Sequence, residues 1–132
     1  MMRSPVRLII ADDHPFIRDA LRLLLSGHPE VLVVGEAENG WQTIELVQGL
    51  LVDVVLMDIQ MPELDGIQAT RHLSQYFPQI KVLALTLHDE PYYIQDILAA
   101  GALGCMPKVV DTKTLIQAIH TVAAGQPFIY HC

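Results

Sequence analysis

Asp53-Val54-Val55-Leu56-Met57-Asp58 is the stretch whose reading decides the fold: four consecutive apolar residues, two of them β-branched, set between carboxylates. A strand with one face in water alternates apolar and polar residues, whereas a strand covered on both faces is apolar throughout. The run therefore predicts an interior strand of a parallel sheet, spanning Asp53–Met57 and leaving it at Asp58. Comparable runs lie at Val6–Ala11, Val31–Ala37, Ile80–Leu85 and Ala102–Met106. Helical patterns separate them near residues 14–26, 40–50, 65–76, 90–100 and 112–124. In the first helix Phe16, Ile17, Ala20, Leu21, Leu24 and Leu25 form one wide apolar stripe, and Leu115, Ile116, Ile119, Val122 and Ala123 repeat the pattern in the last.

Boundary residues agree with this parsing. Asn39 (with Gln42 three residues on), Asp65 and Asp111 stand where N-caps belong, and Pro91 falls in a first turn. Gly27, Gly101 and Gly125 follow helical patterns, as C-terminal caps do. Five βα units in a chain of this length predict a single α/β domain over residues 1–132. Its expected form is the flavodoxin-like doubly wound (βα)5 fold, with a five-stranded parallel sheet of order 2-1-3-4-5 and right-handed crossovers. In that order the chain leaves the first and third strands in opposite directions, and a crevice opens beyond their carboxyl ends.

Composition removes several classes of function. The net charge is −7, with only eight Lys and Arg, scattered along the chain, so direct nucleic-acid binding is not expected. No apolar stretch approaches the roughly 18 residues of a membrane span, and the amino terminus lacks a signal-peptide core. Two cysteines, Cys105 and Cys132, make no metal-binding or redox spacing and no disulfide framework, which suits the cytoplasm.

The polar residues at the predicted strand ends all fall on one edge. Asp12 and Asp13 follow the first strand, Asp58 the third, Thr86 the fourth and Lys108 the fifth. At ~4 Å and an effective dielectric near 20, each carboxylate pair costs roughly 4 kcal/mol, which a divalent cation relieves. Oxygen ligands with room for water suit Mg²⁺, and the lack of nearby His and Cys ligands argues against zinc. Asp13 and Asp58 are the expected direct ligands, Asp12 acts directly or through water, and the Gln60 carbonyl completes the set. A carboxylate beside the metal can accept a phosphoryl group. Lys108 and the Thr86 hydroxyl then meet its charged oxygens.

These residues closely resemble the response-regulator receiver family from Val6 to about Phe128. The resemblance rests on Ala11-Asp12-Asp13-His14-Pro15, Met57-Asp58-Ile59-Gln60-Met61-Pro62-Glu63-Leu64-Asp65-Gly66, Leu85-Thr86 and Gly101-Ala102-Leu103-Gly104-Cys105-Met106-Pro107-Lys108. Val34-Gly35-Glu36-Ala37, Leu85-Thr86-Leu87-His88-Asp89 and Ala123-Ala124-Gly125 look most like its NarL/FixJ (LuxR-type) branch. The resemblance implies Asp58 as phosphoacceptor, Asp12 and Asp13 as the acidic pair, and Thr86 and Lys108 as switch and phosphate-binding residues. It further implies Mg²⁺ as cofactor, a sensor histidine kinase as donor, homodimerisation, and a DNA-binding output domain in transcription regulation. That output module is absent here, since only seven residues follow Gly125.

Three features depart from the family pattern. Cys105 stands where an aromatic is usual, Pro107 precedes the lysine while Val109 follows it, and Gln60 and His88 occupy the positions that tune dephosphorylation. Competing readings are a haloacid-dehalogenase-type phosphatase, a flavin or nucleotide carrier, and a receiver working through dimerisation alone. His14 could accept phosphate or bind metal, but lining the loop is the expected role. Bland alternatives also exist: Asp12–Asp13 as a helix-capping pair, Lys108 as a solvated lysine, and His28, His72, His120 and His131 as unpartnered surface groups.

Overall fold

A computed structural model describes residues 4–87 and 91–130, with the backbone alone at Pro91 and Tyr92. The elements run β1 (Val6–Ala11), α1 (Pro15–Leu25), β2 (Val31–Ala37), α2 (Gly40–Gly49), β3 (Val54–Asp58), α3 (Gly66–Tyr76), β4 (Lys81–Thr86), α4 (Pro91–Ala99), β5 (Gly104–Pro107), α5 (Thr112–Ala123) and β6 (Phe128–Ile129). The sheet is parallel throughout, in the order β2-β1-β3-β4-β5-β6. The predicted 2-1-3-4-5 order therefore holds, with one addition. The two-residue β6 pairs Phe128 with Gly104 and Ile129 with Cys105, extending the edge that β5 would otherwise present. Two residues are too few for any periodicity to reveal.

Alternate residues of the central strands feed two cores. Leu8, Ile10, Val54, Leu56, Leu83, Leu85 and Met106 pack under α1 and α5 with Leu115, Ile119 and Val122. Ile9, Ala11, Val55, Met57, Val82, Ala84 and Cys105 face α2, α3 and α4 on the other side. Val54 to Met57 are wholly buried, which is why that run carries no polar residue.

Three expectations need correction. The α1 stripe is narrower than its sequence indicates. Leu21 and Leu25, with half-buried Ile17, form a single i, i+4 row that packs on the core, whereas Ala20 is exposed and Phe16 and Leu24 are 80% and 37% exposed, lying to either side of that row. Gly101 and Gly125 adopt positive φ, but Gly27 does not. Cys105 is buried, as a small hydrophobe would be, but it is disulfide-bonded, against the expectation of no disulfide framework. His88, His131 and Cys132 lie outside the described residues.

The cap residues act as read, with one variation. Asp65 and Gln68 form a reciprocal capping box at α3, and Asp111 Oδ1 accepts from Thr114 N at α5. At α2 Asn39 Oδ1 accepts from Gln42 N, but the Gln42 side chain turns to the backbone N–H of Glu38 instead. His28 pairs with Glu30 at 3.3 Å and His72 packs against Tyr76, so these two are not unpartnered.

Between β3 and α3 the chain reverses tightly. Gly66 N donates to Ile59 O at 2.8 Å, and a Cβ on Gly66 would overlap the carbonyl oxygen of Asp58. Gly49, in contrast, has open space where a Cβ would go. Gly66→Ala should therefore lower stability by about 2–3 kcal/mol. Gly49→Ala, by removing a helical glycine, should raise it by about 0.5–1 kcal/mol. Urea titration of the two variants checks the contrast.

Candidate functional site

At the carboxyl ends of β1, β3, β4 and β5 the backbone delivers its polar side chains to one place. Asp12 follows Ala11 directly and is wholly buried, while Asp58 ends β3 at 4% exposure. Lys108 follows Pro107, whose register partner is Thr86, and Lys108 N donates to Thr86 O at 2.9 Å. That backbone bond aligns the ends of β4 and β5 and turns the lysine inward. Lys108 is only 5% exposed, which excludes a solvated surface lysine. Its Nζ lies 2.7 Å from Asp12 Oδ2 and 3.0 Å from Asp58 Oδ2.

Electrostatics set the character of the cleft. Asp12, Asp13 and Asp58 bring three carboxyls and Lys108 one ammonium, so the ionised set leaves two negative charges uncompensated. Burial, reinforced by the Asp12 charge and opposed by Lys108, pushes the Asp58 carboxyl up to about 7. Asp12 Oδ2, Asp13 Oδ1 and Asp58 Oδ2 are buried without a hydrogen-bond partner; the Lys108 contacts to two of them are ion pairs at close range, not well-aligned hydrogen bonds. Orphaned buried carboxylate oxygens are costly, and a dication among them would satisfy all three. The donor set thus fits a hard divalent metal. The acidic cluster of Asp12, Asp13 and Asp58 is of the kind that holds Mg²⁺.

Around Asp58 and Lys108 lies a cavity of about 240 Å³, also lined by His14, Gln60, Thr86, Leu87 and Tyr93. A second pocket of about 550 Å³ adjoins it, sharing His14, Ile59, Gln60 and Tyr93 and reaching Asp13. Every sequence-predicted site residue is at this edge. Asp12, Asp13 and Asp58 cluster, Lys108 bridges two of them, and Thr86 and Gln60 line the cavity.

Sequence reasoning missed the supports. Arg18, reaching back from α1, donates from Nη1 to the Asp12 carbonyl and also meets Glu36 at 3.5 Å and Glu38 at 3.7 Å. Asn39 does more than cap α2: its Nδ2 donates to Glu63 Oε2 at 2.9 Å. Beside it Gly40 N donates to Leu64 O at 2.8 Å. These two bonds fasten the β3–α3 loop, in which Glu63 takes a left-handed φ of 67°. No sequence signal marks a contact across 24 residues. His14, read as a loop residue, has its Nδ1 2.9 Å from Asp12 Oδ1 and 3.2 Å from Asp13 Oδ1.

Comparison with known proteins agrees with this geometry. The family described as the response regulator receiver domain matches residues 8–120. The transcriptional regulatory protein DegU of Brevibacillus brevis is 40% identical over 127 residues, which are 96% of this chain and 54% of DegU. The chain thus spans about half the length of the curated relatives it matches. Among solved structures, the signal receiver domain of the response regulator NarL from Mycobacterium tuberculosis has a TM-score of 0.89 at 35% identity, covering 94% of this chain and all of that one. A structure of RcsB dimers bound to DNA has a TM-score of 0.85 at 28% identity, covering 95% of this chain and 64% of that one.

Two outcomes follow from the geometry. The Asp58 carboxyl keeps its proton to about pH 7 in the metal-free native state, against about 3.9 when unfolded. Its contribution is then fully present below about pH 4 and is lost as pH rises through 7. Metal-free Asp58→Asn should melt at least about 3 °C above the parent at pH 8, with the gap closing near pH 5, as calorimetry at both pH values would show. Asn39→Asp keeps the α2 cap but sets two carboxylates face to face, and should cost about 1–2 kcal/mol. Adding Glu63→Gln restores a donor in the opposite sense, so a double-mutant cycle should recover most of that loss.

Proposed function

The chain belongs to the response regulator receiver family, and on that premise we propose that it is a metal-dependent phosphoacceptor switched by phosphorylation of Asp58. The proposed donor is a sensor histidine kinase of a two-component system. A receiver domain is not a conventional enzyme, so the phosphatase reading is set aside. The acids that line the cleft disfavour the flavin reading, because without a metal they repel a phosphate. One observation carries the proposal: a buried ammonium, Lys108, stands between Asp12 and Asp58 at the mouth of a small cavity, ion-paired to both carboxylates but leaving their contacted oxygens without an aligned hydrogen bond.

In the proposed step a carboxylate oxygen of Asp58 forms a bond to phosphorus. The bond from phosphorus to the donor's histidine nitrogen breaks, and its electron pair leaves with the nitrogen. The product is an acyl phosphate on Asp58. Mg²⁺, held by Asp12, Asp13, Asp58 and the Gln60 carbonyl, would supply positive charge against the transferred group's oxygens. Lys108 changes partners, giving up its ion pair with Asp58 for a phosphoryl oxygen, which keeps the buried ammonium compensated throughout. Thr86, at the end of β4 and on the wall of the same cavity, supplies a hydroxyl to another oxygen. Burial and the Asp12 charge raise the cost of ionising Asp58. The transferred group adds further negative charge, which Lys108 and a bound Mg²⁺ would offset.

The consequences for the whole protein are proposed on the relatives. The names of DegU and MctR describe transcriptional regulatory proteins, and the relatives extend well beyond the region matched. A DNA-binding output domain outside this chain, a cytoplasmic setting and a phosphorylation-sensitive homodimer fit that pattern, and RcsB itself is seen as dimers on DNA. Among the described residues no helix is long and apolar enough to cross a membrane.

Incubation with acetyl phosphate and Mg²⁺ should add one base-labile phosphoryl group, seen by intact mass. Asp58→Asn should abolish it, and Lys108→Ala should slow it by roughly 100-fold. Equal labelling of the Asp58→Asn protein would overturn the assignment.

A further inference from the structure

We propose that Arg18 is a positioning residue of the acceptor site. By holding the backbone carbonyl of Asp12 it fixes the peptide that joins Asp12 to Asp13, and with it the grip of that acidic pair on Mg²⁺. The inference rests on the reading of the cleft as an Mg²⁺-dependent acceptor. Arg18 acts through another residue, since it meets the cleft at a main-chain oxygen rather than at a carboxylate.

Each nitrogen of the Arg18 guanidinium has its own partner. Nη1 donates to the Asp12 carbonyl, Nε lies 3.5 Å from Glu36 Oε1, and Nη2 lies 3.7 Å from Glu38 Oε1. Glu36 is near the end of β2 and Glu38 just beyond it, so one planar fork spans the ends of two strands. Arg22 Nη1 meets the other oxygen of Glu36 at 2.8 Å and holds that carboxylate in turn. The Arg18 side chain is 12% exposed, against 30% and 60% for the two glutamates. A cation so covered keeps its place because its partners compensate it. Lysine, a single point charge on a flexible stem, cannot reproduce a three-way fork.

The carbonyl matters because a peptide group is planar: the orientation of the Asp12 C=O also sets the direction in which Asp13 leaves. Asp12 N donates to Ala37 O at 2.9 Å, so with Arg18 both main-chain polar atoms of Asp12 are tied, one to β2 and one to α1. The Asp12 carboxylate is fixed as well, by His14 N at 2.9 Å and Lys108 Nζ at 2.7 Å. Asp13 lies in the bend beyond β1, outside the strand ladder, and its side chain is 31% exposed. Its placement therefore depends on the peptide before it. Were that peptide free to turn, the Asp13 carboxyl would shift against Asp12 and Asp58, whose ligand atoms now lie within 4.8 Å of its own.

A charge effect and a positioning effect have opposite signs. If Arg18 mattered only as a positive charge, removing it would strengthen the attraction for a dication, salt would screen the change, and Arg18→Lys would change nothing. Losing a positioning contact weakens binding at any salt. Isothermal titration of the full chain with Mg²⁺ compares the parent, Arg18→Lys and Arg18→Met at low and high salt, alongside acetyl phosphate labelling over a range of Mg²⁺. Both variants should bind Mg²⁺ roughly 10-fold more weakly than the parent, with the same ratio at either salt. The Mg²⁺ concentration for half-maximal labelling should rise by that factor, while the rate at saturating Mg²⁺ stays within about threefold of the parent. Circular dichroism reports that the variants fold, and Arg18→Lys, which keeps a cation, carries the test alone if Arg18→Met does not. Parental or tighter Mg²⁺ binding in either folded variant would overturn the inference and leave the acceptor reading standing. So would a lower saturated rate with unchanged Mg²⁺ dependence. A parent chain that binds no Mg²⁺ would overturn both.

Discussion

Three carboxyls and one ammonium, packed at the carboxyl end of a fully buried sheet, are the constraint on which the structure turns. Asp12 and Lys108 have almost no contact with water, and Asp58 little more. In such surroundings a charge is tolerable only beside an opposite one. Lys108 compensates part of the acid, holding Asp12 and Asp58 together at 2.7 and 3.0 Å. The remainder is left as orphaned oxygens and as a carboxyl that resists ionisation. The fold tolerates this because the sheet below it, from Leu8 to Ala11 and Val54 to Met57, is sealed on both faces.

The same strands that supply stability therefore supply geometry. Register places Thr86 opposite Pro107 and so sets Lys108 beside the end of β4. The reversal at Gly66 lets the β3–α3 loop fold back over Asp58, and the Asn39–Glu63 and Gly40–Leu64 bonds hold that loop from the neighbouring layer. A site built this way has little freedom in its frame. Its freedom lies in which partner each charge takes, and this is what a phosphoryl group or a cation would alter.

Much of this was legible in sequence because burial on both faces leaves an unmistakable trace. A continuous apolar run such as Val54–Met57 bounded by carboxylates reads as an interior strand, and the polar residues just after such runs mark one edge of the sheet. Asp12, Asp13, Asp58, Thr86 and Lys108 were placed at that edge in this way, and the structure puts them there together. What escaped notice depends on contacts between distant elements. Asn39 reads as a cap, and nothing in its neighbours announces Glu63. The β6 strand is too short to carry a pattern. The exposure of Phe16 and Leu24 shows the reverse error: apolar period reports a helix, but the width of the stripe does not report how much of it the sheet covers.

His14 illustrates why residue type alone undersells a site. Read along the chain, it is a loop histidine before a proline, and the acids beside it account for the local charge. In space, its backbone N–H and its ring both turn toward Asp12, within reach of Asp13. That arrangement couples a solvent-exposed imidazole to a wholly buried carboxylate of the cleft, a link between surface and interior that the order of residues along the chain does not reveal.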